Sequence, residues 1–150
     1  MASRTYTSRR SSITLALVEK LKEINGRGSY TSSLFGNVIP KLEFVSDINN
    51  FPSVSVVAGN EIRVYQAAGY KDRYLSMKII IFVDEENPLT KLDAILEDIE
   101  TVIEDNSQLV YEDKQGQEQK TIDISLISIN TDEGTLEPIA MAEMELRVHY

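Results

Sequence analysis

The stretch AMAEMELRVHY, residues 140–150, alternates without a break. Ala142, Met144, Leu146, Val148 and Tyr150 fall on one side, and Glu143, Glu145, Arg147 and His149 on the other. A period of two over this length predicts a β-strand with one face in a core and the other in water or at an interface. Other runs read the same way. In YLSMKIIIFV (74–83), Leu75, Met77, Ile79, Ile81 and Val83 share a face, and the second face turns apolar at Ile80 and Phe82. A strand buried on both faces at one end is a central strand. TIDISLISIN (121–130) places Ile122, Ile124 and Leu126 in one phase and Ile127 and Ile129 in the other. That slip predicts a bulge or two-sided burial. Val54 and Val56 alternate with serines, and Gly59-Asn60 then predicts a two-residue hairpin turn into EIRVYQA.

Two segments carry helical spacing instead. Ile13, Leu17, Leu21 and Ile24 recur with charged residues between them and stop at Asn25-Gly26. In the second helix Asn87 stands at the cap position and Pro88 opens the first turn. Leu92, Ile95, Leu96, Ile99, Val102 and Ile103 form its apolar stripe, opposite Asp93, Glu97, Asp98, Glu100 and Glu104. Consecutive strands with short connections and two amphipathic helices predict an α+β fold: one domain, with a mainly antiparallel β-sheet and both helices packed on one face. Residues 26–38 and 112–120 lack periodicity, and the second segment predicts a mobile hairpin tip. A basic N-terminal arm, 1–12, precedes the domain at 13–150.

A chain of 150 residues buries roughly 70% of its unfolded surface and needs no staple. It has no cysteine, which excludes disulfides, thiolate zinc sites and thiol nucleophiles. The longest aliphatic or aromatic run, Ile79–Val83, is too short to span a bilayer. No apolar segment follows the charged start as a secretory signal requires, although a Ser- and Arg-rich beginning also fits an organelle transit peptide. Charge is uneven. Arg4, Arg9 and Arg10 stand in the first twelve residues with no acid, whereas 84–113 holds eleven acids against Lys91 alone. A net charge of −9 argues against a body that coats nucleic acid, because phosphate contacts rest on Lys and Arg. The basic arm is better matched to an acidic neighbour, including a second copy of the chain.

Catalytic chemistry is nearly absent from the sequence. There is no phosphate-binding glycine motif. The single histidine, His149, lies on the polar face of a strand and cannot alone build a metal cluster or a nucleophile triad. DEEN at 84–87 lacks the alternating pattern of a calcium loop and reads as a strand end followed by a helix start. Asp132, Glu133 and Gly134, within NTDEGTLEP, read as a surface turn. No cofactor is implied.

The order of these features resembles the tail terminator (tail completion) proteins of long-tailed bacteriophages. The resemblance is carried by ITLALVEKLKEI, FPSVSVVAGNE, LSMKIIIFV and LTKLDAILEDIETVI. Its most specific part is the closing SLISINTDEGTLEPIAMAEMELRVHY, a strand, a T-D-E-G turn, a proline and a final alternating strand. It implies a structural virion protein, assembled in the host cytoplasm, that forms a homo-hexameric ring on the head-proximal end of the tail tube. Such a ring stops tube polymerisation and offers a face to a neck or head-completion protein, while DNA passes through its lumen without specific binding. Arg4, Arg9 and Arg10 set against Glu97, Asp98 and Glu100 would then give complementary subunit contacts. Asp132, Glu133 and Gly134 would contact tube or neighbour. A head-completion or neck adaptor shares the acidity and the ring habit. A small enzyme, or a module that binds peptides by strand addition, is the reading from other classes.

Overall fold

The computed structural model of the chain describes residues 7–136 and 138–150. Helix α1 (Arg9–Leu21) leads into a short strand β1 (Val38–Ile39), the long strands β2 (Ser53–Tyr65) and β3 (Lys71–Asp84), and helix α2 (Pro88–Asp105). A small ribbon of β4 (Val110–Glu112) and β5 (Glu118–Lys120) follows, then β6 (Asp123–Thr131) and β7 (Ile139–His149). The main sheet has five strands in the order β1-β2-β3-β7-β6, antiparallel except where β1 runs beside β2. This is the expected α+β arrangement, with β3 in the middle.

The alternation in the sequence places the core. Ala142, Met144, Leu146 and Val148 of β7 and Leu75, Met77, Ile79 and Ile81 of β3 are buried on the same sheet face. Ile13, Leu17 and Leu21 from α1 and Leu92, Ile95 and Ile99 from α2 close over them in one continuous cluster. Each such aliphatic side chain contributes about 1.5–3 kcal/mol by leaving water. The phase slip in β6 is a bulge: pairing with β7 shifts between Leu126 and Ser128, which leaves Ile127 half exposed.

Four local expectations are corrected. Gly59-Asn60 is not a hairpin turn. β2 runs straight through it, and one extra residue opposite Ser76 makes a bulge between Ala58 and Glu61. Gly59 does not take the positive φ that a type I′ turn needs; Ala68 (φ 64°) and Gly69 (φ 81°) do so, and the chain reverses there. The basic segment is not an arm as far as residue 12, because α1 begins at Arg9. Ser8 caps it, its hydroxyl accepting from the Ser11 N–H at 3.2 Å while the Ser11 hydroxyl accepts from the Ser8 N–H at 3.2 Å. Asn87 occupies the cap position of α2 but its side chain makes no capping hydrogen bond. Finally, the 112–120 segment is a tied hairpin. Asp113 is buried and its carboxylate accepts from the N–H groups of Gln115 and Gln117, both at 2.9 Å.

Candidate assembly surface

With both helices on one side, the other side of the sheet is open. Its centre is polar: Lys78 pairs with Glu143 at 2.9 Å, and Glu145 and Arg147 follow along β7. The Glu143 carboxylate, by hydrogen bond and charge, raises the Lys78 pKa. Both outer strands present unpaired backbone among the described residues. β6 ends the sheet on one side. On the other, β1 covers β2 only at Val54 and Ser55, so most of the length of β2 faces outward. The Arg10 guanidinium donates to the Gly59 carbonyl on that edge, at the bulge.

Both ends of the subunit expose large apolar side chains. From Tyr74 outward the β2–β3 hairpin projects past β7 and exposes Ile62, Tyr65 and Tyr70 by 67%, 72% and 74%, among the charged Arg63, Lys71, Asp72 and Arg73. At the opposite end of the same strands, Leu42 and Phe44 overhang a cleft of about 260 Å³ floored by Ile80, Phe82 and Met141. Large apolar side chains exposed at both ends of the subunit mark candidate contact sites. The projecting hairpin was hidden in the sequence by the misplaced turn. Its signal was two strand-like runs meeting at AAGY, with tyrosines on either side of Gly69.

At the root of the hairpin Glu61 meets Tyr150. The Tyr150 hydroxyl donates to Glu61 Oε1 at 2.5 Å, and Arg63 Nε holds Oε2 at 2.7 Å. Burial, then the hydrogen bond to Glu61 and its charge, push the Tyr150 phenol up to about 12. Burial also acts to raise the Glu61 pKa, but hydrogen bonds from Tyr150 and Arg63, with the charges of Arg63 and Arg10, outweigh it and hold this carboxyl below its usual range. His149 lies on the polar face as its alternation predicts, and it has partners there. Its Nε2 lies 3.0 Å from Asp72 Oδ1 and its ring stacks on Tyr74.

The residues singled out as contacts separate into different environments. Arg4 lies outside the described residues. Arg9 and Arg10 occupy the first turn of α1, where the helix dipole disfavours cations. Glu97 and Glu100 are exposed on the outer face of α2. Asp98 is not on that face. It is 3% exposed and accepts from the N–H groups of Thr31 (3.1 Å) and Ser32 (2.7 Å) and from the Ser32 hydroxyl (2.5 Å), so it pins the 26–38 segment to α2 and is unavailable to a neighbouring subunit. Among the described residues no ion pair joins Arg9 or Arg10 to Glu97 or Glu100. Asp132, Glu133 and Gly134 form a tight turn at the surface. Glu133 (φ 56°) and Gly134 (φ 84°) both take positive φ, and the Thr135 N–H donates to the Asp132 carbonyl at 3.1 Å. Asp132 Oδ1 accepts from the Gly134 N–H at 3.3 Å, which makes it the organiser of its own turn. Among the described residues no group of His, Asp and Glu is placed to hold a metal ion, and no helix is long and apolar enough to cross a membrane.

Three comparisons bear on this surface. The tail tube terminator protein p142 of Escherichia phage T5 is 30% identical over 149 residues, covering 94% of this chain and 92% of that relative. A solved chain from the virion of a native gene transfer agent particle superposes with a TM-score of 0.62 at 10% identity, covering 93% of this chain and 94% of its own length. At that identity the likeness shows the fold. The family described as Bacteriophage Tail Tube Terminator Protein matches residues 7–150, which takes in Arg9 and Arg10 as well as the whole of the sheet. The chain belongs to the bacteriophage tail tube terminator family, a family of structural proteins of the virion tail.

Proposed function

We propose that this chain closes the head-proximal end of the tail tube as a homo-hexameric ring, stops tube polymerisation there, and offers its far side to a neck or head-completion protein. The observation that carries the reading is that one subunit has two dissimilar strand edges without a partner, that of β6 and that of β2 beyond its short contact with β1, at opposite sides of one sheet. A closed ring is built from heterologous contacts, which need two different patches on each subunit. Unpaired strand edges are ready-made pairing surfaces. The apolar side chains exposed at both ends support the second half of the reading, since a ring between tube and neck needs a contact on each side. On this reading Ile62, Tyr65 and Tyr70 meet the tube, and Leu42 and Phe44 meet the neck. Glu97 and Glu100 on α2, and Glu133 in its turn, stay as rim contacts. A net charge of −9 suits a lumen that repels passing DNA and lets it slide.

The test is electron microscopy of particles from a parent phage lacking the gene, with native mass spectrometry of the purified chain. Overlong headless tails, together with a hexamer in solution or on tubes, are expected. Tails of normal length beside separate full heads would move the protein to the neck, and intact virions would overturn the reading altogether.

A further inference from the structure

The ladder between β7 and β3 ends at Tyr74↔His149 with one further backbone bond at Arg73, whereas β2 and β3 stay paired out to Tyr65↔Lys71. What projects is a two-stranded ribbon, and an isolated ribbon of this kind is marginal in water. Two adjacent residues grip its root from opposite faces of the sheet. On the open face, His149 Nε2 lies 3.0 Å from Asp72 Oδ1, and the imidazole stacks on Tyr74 with ring centroids 4.6 Å apart. On the helix face, the Tyr150 hydroxyl donates to Glu61 Oε1 at 2.5 Å, and the Arg73 guanidinium lies over the Tyr150 ring at 5.6 Å. The Tyr150 N–H donates to the Arg73 carbonyl at 3.1 Å, and Tyr111 braces the phenol edge-on at 6.5 Å.

Successive side chains of a strand point to opposite faces, so neighbours can hold the ribbon from both sides. One jaw ends on β3 at Asp72 and the other on β2 at Glu61. Just inside the jaws lies the Gly59-Asn60 bulge, where the β2–β3 ladder skips one pair while β3 stays paired with β7 at Leu75 and Ser76. The links are polar, and the Asp72 and His149 side chains keep 31% and 23% of their exposure, so water or a partner's side chain can compete for them.

We propose that His149 and Tyr150 form a two-sided clamp that fixes the angle of the projecting β2–β3 hairpin, and that opening the clamp lets the hairpin bend where it leaves the last β3–β7 pair, just outside the Gly59-Asn60 bulge. The hairpin is then a poised arm rather than a rigid extension of the sheet. Because the clamp belongs to the single subunit, its test is read without any ring or tube.

The test is amide hydrogen exchange by NMR on the parent chain, on H149A, on Y150F and on the double variant. Exchange at 62–65 and 71–73 is expected to accelerate about tenfold in each single variant and further in the double, while 77–83 stay as in the parent. H149Q, which keeps a donor toward Asp72, is expected to restore the H149A loss. D72N and E61Q loosen the same jaws from the hairpin side and should match their partners' effects. Unchanged hairpin exchange in the double variant overturns the clamp. So does an acceleration spread evenly over the whole sheet, because the two residues would then be supporting the fold and not the arm.

Discussion

Asp98→Ala is the sharpest probe of how this fold is held. The carboxylate is buried on α2 and accepts three hydrogen bonds from a segment 66–67 residues away in the chain. That segment, 26–38, contains little regular structure before β1. Its first part is otherwise tied locally, by the Asn25–Ser33 bridge and the Leu34 N–H to the Ile24 carbonyl at 3.1 Å. Only its end reaches the sheet, where the Asn37 carbonyl accepts from the Val54 N–H at 3.1 Å and Val38 pairs with Val54. Hydrogen bonds to a charged acceptor contribute roughly 1.5–3 kcal/mol each, and truncating the acceptor strands buried donors. Relief of the desolvation that the carboxylate itself suffers offsets part of this. The net cost expected is about 3–4 kcal/mol. At roughly 2–4 °C per kcal/mol for a chain of this size, the Tm falls by about 10 °C. Asp98→Asn keeps one acceptor but turns an NH2 group toward donors, and should fall about midway. Glu97→Ala, one residue along on the exposed face, should stay within about 0.5 kcal/mol. The assay is urea unfolding followed by circular dichroism, with the m-value checked for constancy. A loss below about 1 kcal/mol for Asp98→Ala would refute the reasoning, since the freed donors would then have found other partners.

Three further outcomes follow from particular contacts. Gly134→Ala puts a side chain on a residue at φ 84°, with the new Cβ 3.4 Å from Leu89 Cδ1; it should cost about 1–2 kcal/mol in thermal unfolding, and a neutral result would mean that the turn relaxes freely. Leu17→Ala opens a hole beneath α1, where Leu17 is fully buried, and should lose about 2–5 kcal/mol in the same urea assay. The Tyr150 pKa is raised in the fold to about 12, so its protonated form stabilises the native state. That contribution is complete below the unfolded value of about 10 and drains away as pH rises through the folded value. Spectroscopic alkaline titration should show a phenolate step near pH 12 that Y150F lacks; superimposable curves would count against the Glu61–Tyr150 link.

Much of the fold was legible because side-chain periodicity is imposed by the backbone and survives in a single sequence. The faces of β3 and β7, the stripe of α2 and the Ile127 bulge are all of that kind. Expectations failed where one local signal serves two structures. Gly59-Asn60 suits a tight turn and equally a bulge, and only pairing with β3 decides between them. The start of α1 was obscured because Ser8 and Ser11 form the capping box with serine where glutamate or glutamine is usual, and because two arginines occupy a first turn that normally favours acids. Asp98 borders the apolar stripe of α2, so its spacing is compatible with either face. Its partners at Thr31 and Ser32 are too distant in the chain to leave a pattern. The hairpin clamp depends in the same way on Glu61, Asp72, His149 and Tyr150 meeting across strands, which no spacing announces.

The bulges on β2 and β6 have a consequence for the subunit before it meets any partner. Long, flat, apolar edge strands nucleate fibres, and β6 carries Ile127 and Ile129 half exposed on such an edge. Each outer strand, however, is broken once, at Gly59-Asn60 and at Ile127, and a flat strand cannot stay in step across either break. Only a strand with a matching irregularity can zip along the full edge. The same kinks would therefore disfavour random edge-to-edge pairing between identical subunits and favour a neighbour whose own irregularity matches.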